Sequence, residues 1–352
     1  MKTQISKEQR VTFSLSMLSS ISSNYDPTQT SETIEEWTKK KTQEILTDPR
    51  IISDIGEWKI VWGPQVATGL KGISKNSMFI ANSVDDPTKY IIAIAGTNPK
   101  SLYDWKVEDC AVEADEMVAW NKITLNKDST NYGKISKGTY SGINILFNMK
   151  DTSTGKSFIE FISPLLNQKN SIKVTGHSLG GALSPSIALY INDEFSNPAS
   201  INYNPNYASN VSCMSTAGPT PGDAVFAEHY NEIMATDSVR FWNTSDIVPH
   251  AWKDSLLKKI PSIYVPFGIE KTPFITNVTQ RALTKSQGGE YTQLLGDGSP
   301  LDHEYIKVDN SLDPYKQFLA EAAQQHTTAY NELFQITDYM TKVIQEKTGS
   351  TK

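Results

Sequence analysis

Residues Ile172–Leu183 read IKVTGHSLGGAL. An apolar run closes at Thr175, a cluster of glycines then encloses a histidine and a serine, and a second apolar run, GALSPSIALYI, follows. The first run reads as a strand and the second as a helix. Between them, Gly176-His177-Ser178-Leu179-Gly180 is a G-x-S-x-G pattern, which sets a serine on a sharp strand-to-helix turn. Glycines at 176 and 180 remove Cβ atoms that would collide with the neighbouring strand and helix, and Gly181 lets the helix pack close. Ser178 then stands at a helix N-terminus, where backbone N–H groups face developing negative charge. The glycines are steric permission for one serine, and that serine is the candidate nucleophile. His177 points away from it on such a turn and reads as structural.

A serine hydroxyl needs a base, and the base needs an orienting acid. On this architecture the chain order is Ser, then Asp, then His, with both partners in loops at the carboxyl ends of later strands. SVRFWN reads as a strand and TSDIVPH as the loop leaving it, which selects Asp246. Asp237 falls at the wrong end of that strand, and Asp223 in TPGDAVF reads as a helix N-cap. Five histidines are available. His177 adjoins the serine, His229 precedes the acid, and His250 lies too near Asp246 to fold back. His303 in SPLDHEYI and His326 in AAQQHTTAYNELF both stay open as the base.

Working outward, EWKIVWGP, NSMFIANSV and KYIIAIAGT carry strand signals, the last as a nearly continuous apolar run suited to a strand covered on both faces. Helical stretches alternate with them, which predicts an α/β fold with a largely parallel sheet. The first fifty residues look helical, with Ser31 as an N-cap and Glu35 nearby, and the chain is helical again from about Asp313. No repeat or low-complexity linker divides the chain. Residues 1–352 read as a single domain, with 1–50 as a helical extension packed on it.

The chain has 352 residues and a net charge of −6, from 33 Lys and Arg against 39 Asp and Glu. With 38% hydrophobic and 20% charged residues it reads as globular. The absence of any basic tract argues against a nucleic-acid partner. Two cysteines, Cys110 and Cys213, cannot form a disulfide framework and read as free thiols. No window approaches the ~20 apolar residues of a membrane span. The N-terminus lacks a signal-peptide pattern, so a cytoplasmic location or export by another route is expected.

These residues resemble a known family. VTGHSLGGAL resembles the nucleophile motif of the class 3 lipases, a group of α/β-hydrolases. IIAIAGTNPKSLYDWKVED (Ile91–Asp109) is similar to their oxyanion strand and lid hinge, with Gly-Thr followed by Asp-Trp. STAGPTPGDAVFAEHY resembles their T-F-G-x-P-x-x-G-D turn, and RFWNTSDIVPH their Asn-x-x-Asp-x-Val-Pro acid loop. Bacterial members are the nearest in look: WKIVWGP resembles their W-x-V-V-W-G-P, and QQHTTAYNELF their Gln-His-x-x-x-Tyr segment. The resemblance implies a mostly parallel central sheet flanked by helices, with a lid segment. It favours His326 over His303 as the base. It places the oxyanion hole at the Leu179 N–H and at Thr97, and Trp105 at the lid hinge or acyl site. The stretch from about Ser101 to Ser136, including EADEMVAW, is the candidate lid.

The implied activity is a serine carboxylic ester hydrolase, a triacylglycerol lipase acting through Ser178, Asp246 and His326. Phospholipase A1 and short-chain carboxylesterase are the alternatives, with an inactive lipid- or partner-binding relative further off. The expected partner is a lipid ester at an oil–water interface, and no metal or organic cofactor is implied. Two departures stand out. Ala95 occupies a position where members often carry Arg, and Pro185 falls inside the helix after the nucleophile.

Overall fold

The computed structural model describes residues 4–69, 74–96, 111–124, 130–167, 169–208 and 210–349. Its strands are β1 (Trp58–Thr68), β2 (Ser74–Ser83), β3 (Lys89–Ile94), β4 (Val118–Ala119), β5 (Lys134–Ile135), β6 (Ser171–His177), β7 (Asn210–Thr216), β8 (Ser238–Asn243) and β9 (Ser299–Leu301). Seven of them form one sheet in the order β1-β2-β3-β6-β7-β8-β9, and β4 with β5 makes a separate two-stranded ribbon. β1, β2 and β3 pair antiparallel. From β3 to β9 every neighbouring pair is parallel.

Side-chain parity explains why the central strands are apolar throughout. Successive residues of a strand point to opposite faces. Ile92 and Ile94 of β3 and Ile172 and Val174 of β6 join one buried cluster, together with Leu183 and Ile187 of the helix Leu179–Ser196. Ile91 and Ala93 of the same β3 join another, with Phe13, Leu15 and Leu18 of the helix Lys7–Ser19. Both faces are covered, so an alternating polar pattern has no place in β3.

The second cluster is closed by both ends of the chain. Ile45 and Leu46, Ile51 and Ile55 come from the helices Ile34–Leu46 and Pro49–Ile55, while Tyr330, Phe334, Met340 and Val343 come from the C-terminal helices. A third cluster, including Ile247, Tyr264, Ile275 and Phe318, fills the long crossover from β8 to β9 and the helix Pro314–His326. A crossover of this kind is what a parallel strand pair demands. The arrangement is the α/β-hydrolase fold.

Some local expectations change. The helix Ile34–Leu46 is capped by Thr33, not Ser31: Thr33 Oγ1 accepts from the Glu36 N–H, and Glu36 reaches back to the Thr33 N–H at 2.9 Å. A Thr-x-x-Glu capping box satisfies two orphan donors at once, which Ser31 with Glu35 cannot. Cys213 is buried and free, its thiol pushed up to about 12 by burial. Cys110 lies outside the described residues.

Candidate active site

The turn after β6 holds Ser178 at φ 61° and ψ −127°, a conformation rare for any residue with a Cβ. Close packing around the turn accounts for it. A Cβ on Gly176 would meet the Gly180 carbonyl oxygen at 2.2 Å, and one on Gly180 would meet that of Ile94 at 2.2 Å. The strand, the turn and the following helix approach within backbone contact, and only glycine permits this. The Ser178 N–H donates to the Thr216 carbonyl at 3.1 Å, tying the turn to β7. The helix then runs from Leu179 to Ser196 with Pro185 inside it.

Ser178 Oγ lies 2.9 Å from His326 Nε2. His326 Nδ1 lies 2.7 Å from Asp246 Oδ2. His326 is the last residue of its helix, and Asp246 sits in the loop leaving β8. Ser178, His326 and Asp246 are 4%, 5% and 0% exposed. A buried carboxylate is tolerable only when its oxygens are satisfied. Here the Val248 N–H donates to Oδ1 at 3.0 Å, and the Tyr330 hydroxyl donates to Oδ2 at 3.0 Å. The Tyr330 hydroxyl in turn accepts from the Asn243 N–H at 2.8 Å, and burial holds its phenol well above the usual range. Asn243 Nδ2 donates to the Gln325 carbonyl at 3.0 Å and to its Oε1 at 2.6 Å, which braces the residue before His326. A proton can therefore pass from Ser178 to His326 while Asp246 faces the other ring nitrogen. That is the geometry of an activated serine nucleophile.

Tyr330, Asn243 and Gln325 were not singled out by sequence reasoning. Tyr330 is the tyrosine of the Gln-His-x-x-x-Tyr segment, which is the one signal that pointed to it.

The other histidines lie elsewhere. His303 pairs with Glu332 at 2.8 Å through Nε2 and with the Glu304 carbonyl through Nδ1. His229 pairs with Asp193 at 2.9 Å. His250 uses Nδ1 on the Asp246 carbonyl, and burial lowers its pKa. Asp223 caps the helix Ala224–Met234 by accepting from Phe226 N–H. Leu179 opens its helix immediately after Ser178, where a first-turn N–H has no intrahelical acceptor. Ala95 is buried, its N–H on the Ser77 carbonyl at 2.8 Å. Thr97 and Trp105 lie outside the described residues. No group of three or more His, Cys, Asp or Glu suited to a metal ion occurs among the described residues. No described helix is long and apolar enough to cross a membrane.

Part of the candidate lid stretch is firmly anchored. Trp120 is fully buried and donates to Asp193 at 2.7 Å, and Val118 and Ala119 pair with β5. Glu113 meets Lys285 at 3.0 Å, and the Tyr291 hydroxyl donates to the Val112 carbonyl. These contacts tie that part of the stretch to the body of the protein. The stretches 101–110 and 125–129 of that candidate lie outside the described residues.

The chain is similar to known proteins. Residues 91–255 match the family described as Lipase (class 3). The crystal structure of M37 lipase superposes with a TM-score of 0.78 at 30% identity, covering 97% of this chain and 98% of that one. Lipase II from Rhizopus niveus aligns at 17% identity over 71% of this chain and 77% of its own, with a TM-score of 0.44. Rhizomucor miehei lipase aligns at 17% over 72% and 66%, with 0.45. No curated protein sequence matches the chain.

Proposed function

From a chain that belongs to the class 3 lipase family, we propose a triacylglycerol lipase that works through Ser178, His326 and Asp246. The chain is an ester hydrolase of lipid substrates by its family. The observation that carries the finer reading is the unbroken hydrogen-bond chain from Ser178 Oγ through both nitrogens of His326 to Asp246. Ser178 attacks the ester carbonyl while His326 Nε2 takes its proton. Asp246 stabilises the imidazolium that forms. The N–H of Leu179, with Thr97, binds the tetrahedral oxyanion. Each such donor contributes roughly 3–4 kcal/mol to transition-state stabilisation. Collapse returns the proton from His326 to the departing glyceride oxygen and leaves an acyl-Ser178. Water, deprotonated by the same histidine, attacks that ester and releases the fatty acid.

Ser178 is 4% exposed, which fits a site beneath a covering element. The stretch from about Ser101 to Ser136 is proposed as that lid, with Trp105 at its hinge or at the acyl site. Replacing that stretch should change the ratio of activity on emulsified ester to activity on dissolved ester. An unchanged ratio would remove the lid.

A fluorophosphonate probe should label the protein and fail to label Ser178→Ala. Hydrolysis of triolein, tributyrin and phosphatidylcholine side by side then separates the substrates. Turnover of triolein supports the lipase. Preference for phosphatidylcholine would make the protein a phospholipase A1, and tributyrin alone would make it a short-chain esterase. A protein that takes neither probe nor ester would be an idle lipid-binding relative.

A further inference from the structure

Gln325, the residue before His326, is fully buried, yet it ends in a carboxamide. Every polar atom of that group has a partner. Oε1 accepts from Asn243 Nδ2 at 2.6 Å, while Nε2 donates to the Glu304 carbonyl at 3.0 Å and to Glu321 Oε1 at 2.7 Å. The Gln325 backbone carbonyl also accepts from Asn243 Nδ2, at 3.0 Å, so the Asn243 amide gives both its hydrogens to this one residue.

Asn243 is as deeply buried and closes β8. Its Oδ1 accepts from the Ser245 N–H at 3.1 Å, which shapes the turn presenting Asp246. Its own N–H donates to the Tyr330 hydroxyl, which donates to Asp246 Oδ2. The two carboxamides therefore face each other between the turn of the acid and the helix of the base. Only one orientation satisfies them. Turned over, the Gln325 amide would set Oε1 against the Glu304 carbonyl and the Glu321 carboxyl, and Nε2 against Asn243 Nδ2. Buried, fully satisfied bonds of this kind hold one geometry.

The helix Pro314–His326 has apolar ties of its own, since Phe318 and Ala322 pack into the third cluster. What the amide adds is registry, at the residue next to the base and at the residue three before the acid. An error there passes directly to the 2.9 Å approach of His326 Nε2 to Ser178 Oγ, and about 1 Å of misplacement can cost ~10²-fold in rate.

We propose that Gln325 is a positioning residue: bonded to Asn243, its carboxamide fixes the base-bearing helix end against the turn that carries the acid, and so aims His326 at Ser178. The proposal rests on the reading of Ser178 as nucleophile, Asp246 as acid and His326 as base.

Two variants and their combination separate this from simple packing. Gln325→Met keeps the volume without the amide. Asn243→Ser keeps an oxygen for the Ser245 N–H, but its hydroxyl is too short to reach Gln325. Steady-state kinetics on soluble p-nitrophenyl butyrate, well below the melting temperature of either variant, should show kcat about tenfold lower in each, with KM within about twofold. The double variant should lose no more than about threefold beyond the worse single one, because both cut the same link. Fluorophosphonate labelling of Ser178 should slow in the same proportion. A kcat in Gln325→Met within about threefold of the unaltered enzyme, even with a lowered melting temperature, would assign Gln325 to the fold alone and overturn the proposal. Losses that multiply in the double variant would overturn it too, since independent sites add in free energy. Hydrogen exchange of the side-chain amides in the unaltered protein needs no variant to fold. Both carboxamides should exchange far more slowly than exposed ones, and fast exchange at Gln325 would equally overturn the proposal. The underlying reading fails differently: fluorophosphonate would then leave the unaltered protein unlabelled, or His326→Ala would keep its turnover.

Discussion

Asp246 shows how one buried charge is made affordable. It is 0% exposed, and its oxygens are met by His326, Tyr330 and the Val248 N–H. Tyr330 is the member with two duties, because its oxygen also accepts the buried Asn243 N–H. Tyr330→Phe removes a donor from a carboxylate and leaves that N–H without an acceptor. The unpaired group costs about 1–3 kcal/mol, which urea unfolding would read as a lower midpoint at unchanged slope. Turnover should fall about tenfold, equivalent to ~1.4 kcal/mol in the barrier. A variant that lost stability but kept kcat would show that Tyr330 serves the fold alone. The candidates Ser178 and Asp246 were legible in the sequence because each sits at a fixed place on a strand-to-loop step. The proposed base was not: His303 and His326 both follow the acid near tyrosines, and nothing local to either tells which one the fold brings to Asp246. Only family resemblance favoured His326.

At the scale of elements, legibility tracks burial on two faces. β3 and β6 announce themselves as apolar runs because helices cover both sides of the sheet. β9 does not, being three residues at the sheet edge with a proline at its centre. Proline is tolerated there because an edge strand can leave an N–H position unpaired. The turn at Ser178 is legible for a different reason, since crowding excludes every side chain but a few. Gly180→Ala would set a Cβ 2.2 Å from the Ile94 carbonyl oxygen, a backbone atom that cannot rotate away. The loss should exceed the ~1–3 kcal/mol typical of overpacking, with activity lost as well. Gly138→Ala is the matched control. Its Cβ would meet nothing closer than the Ala111 carbonyl oxygen at 3.4 Å, and Gly138 lies in the first turn of the helix Lys137–Asn148. It should change stability by less than about 1 kcal/mol, in the stabilising direction if at all. Thermal unfolding of the two variants side by side checks both; equal melting temperatures would mean that the turn can relax and that its glycines are dispensable.

The molecule as a whole is closed by its ends. Phe13 stacks on Phe334 at 4.1 Å, and the same cluster holds Phe79 of β2 and Met214 of β7. The first fifty residues therefore supply much of one core layer. A chain begun after Leu46 should not accumulate as soluble protein, whereas a decorative extension would be removable without loss. A charged tie joins the two ends on the surface. Asp48 caps the helix Pro49–Ile55, pairs with Arg50 at 2.9 Å, and Arg50 also pairs with Glu346 of the last helix at 2.6 Å. Hydrogen bonding to Arg50 first, with the charges of Arg50 and Lys347 helping, lowers the Asp48 carboxyl from 3.8 to about 2. A carboxyl whose pKa is depressed on folding adds stability above its unfolded value and loses it as the pH falls through its folded value. The contribution is therefore complete above about pH 5 and fades towards pH 2. Asp48→Asn keeps an oxygen for the helix cap and removes the charge. At pH 7 the variant should melt about 1–2 °C lower, since ~1 kcal/mol moves a chain of this size by roughly that much. The gap should narrow steadily as both proteins are taken from about pH 5 towards the folded pKa. A gap that held constant over that range would show that the cap, and not the charge, is what Asp48 contributes to joining the two ends.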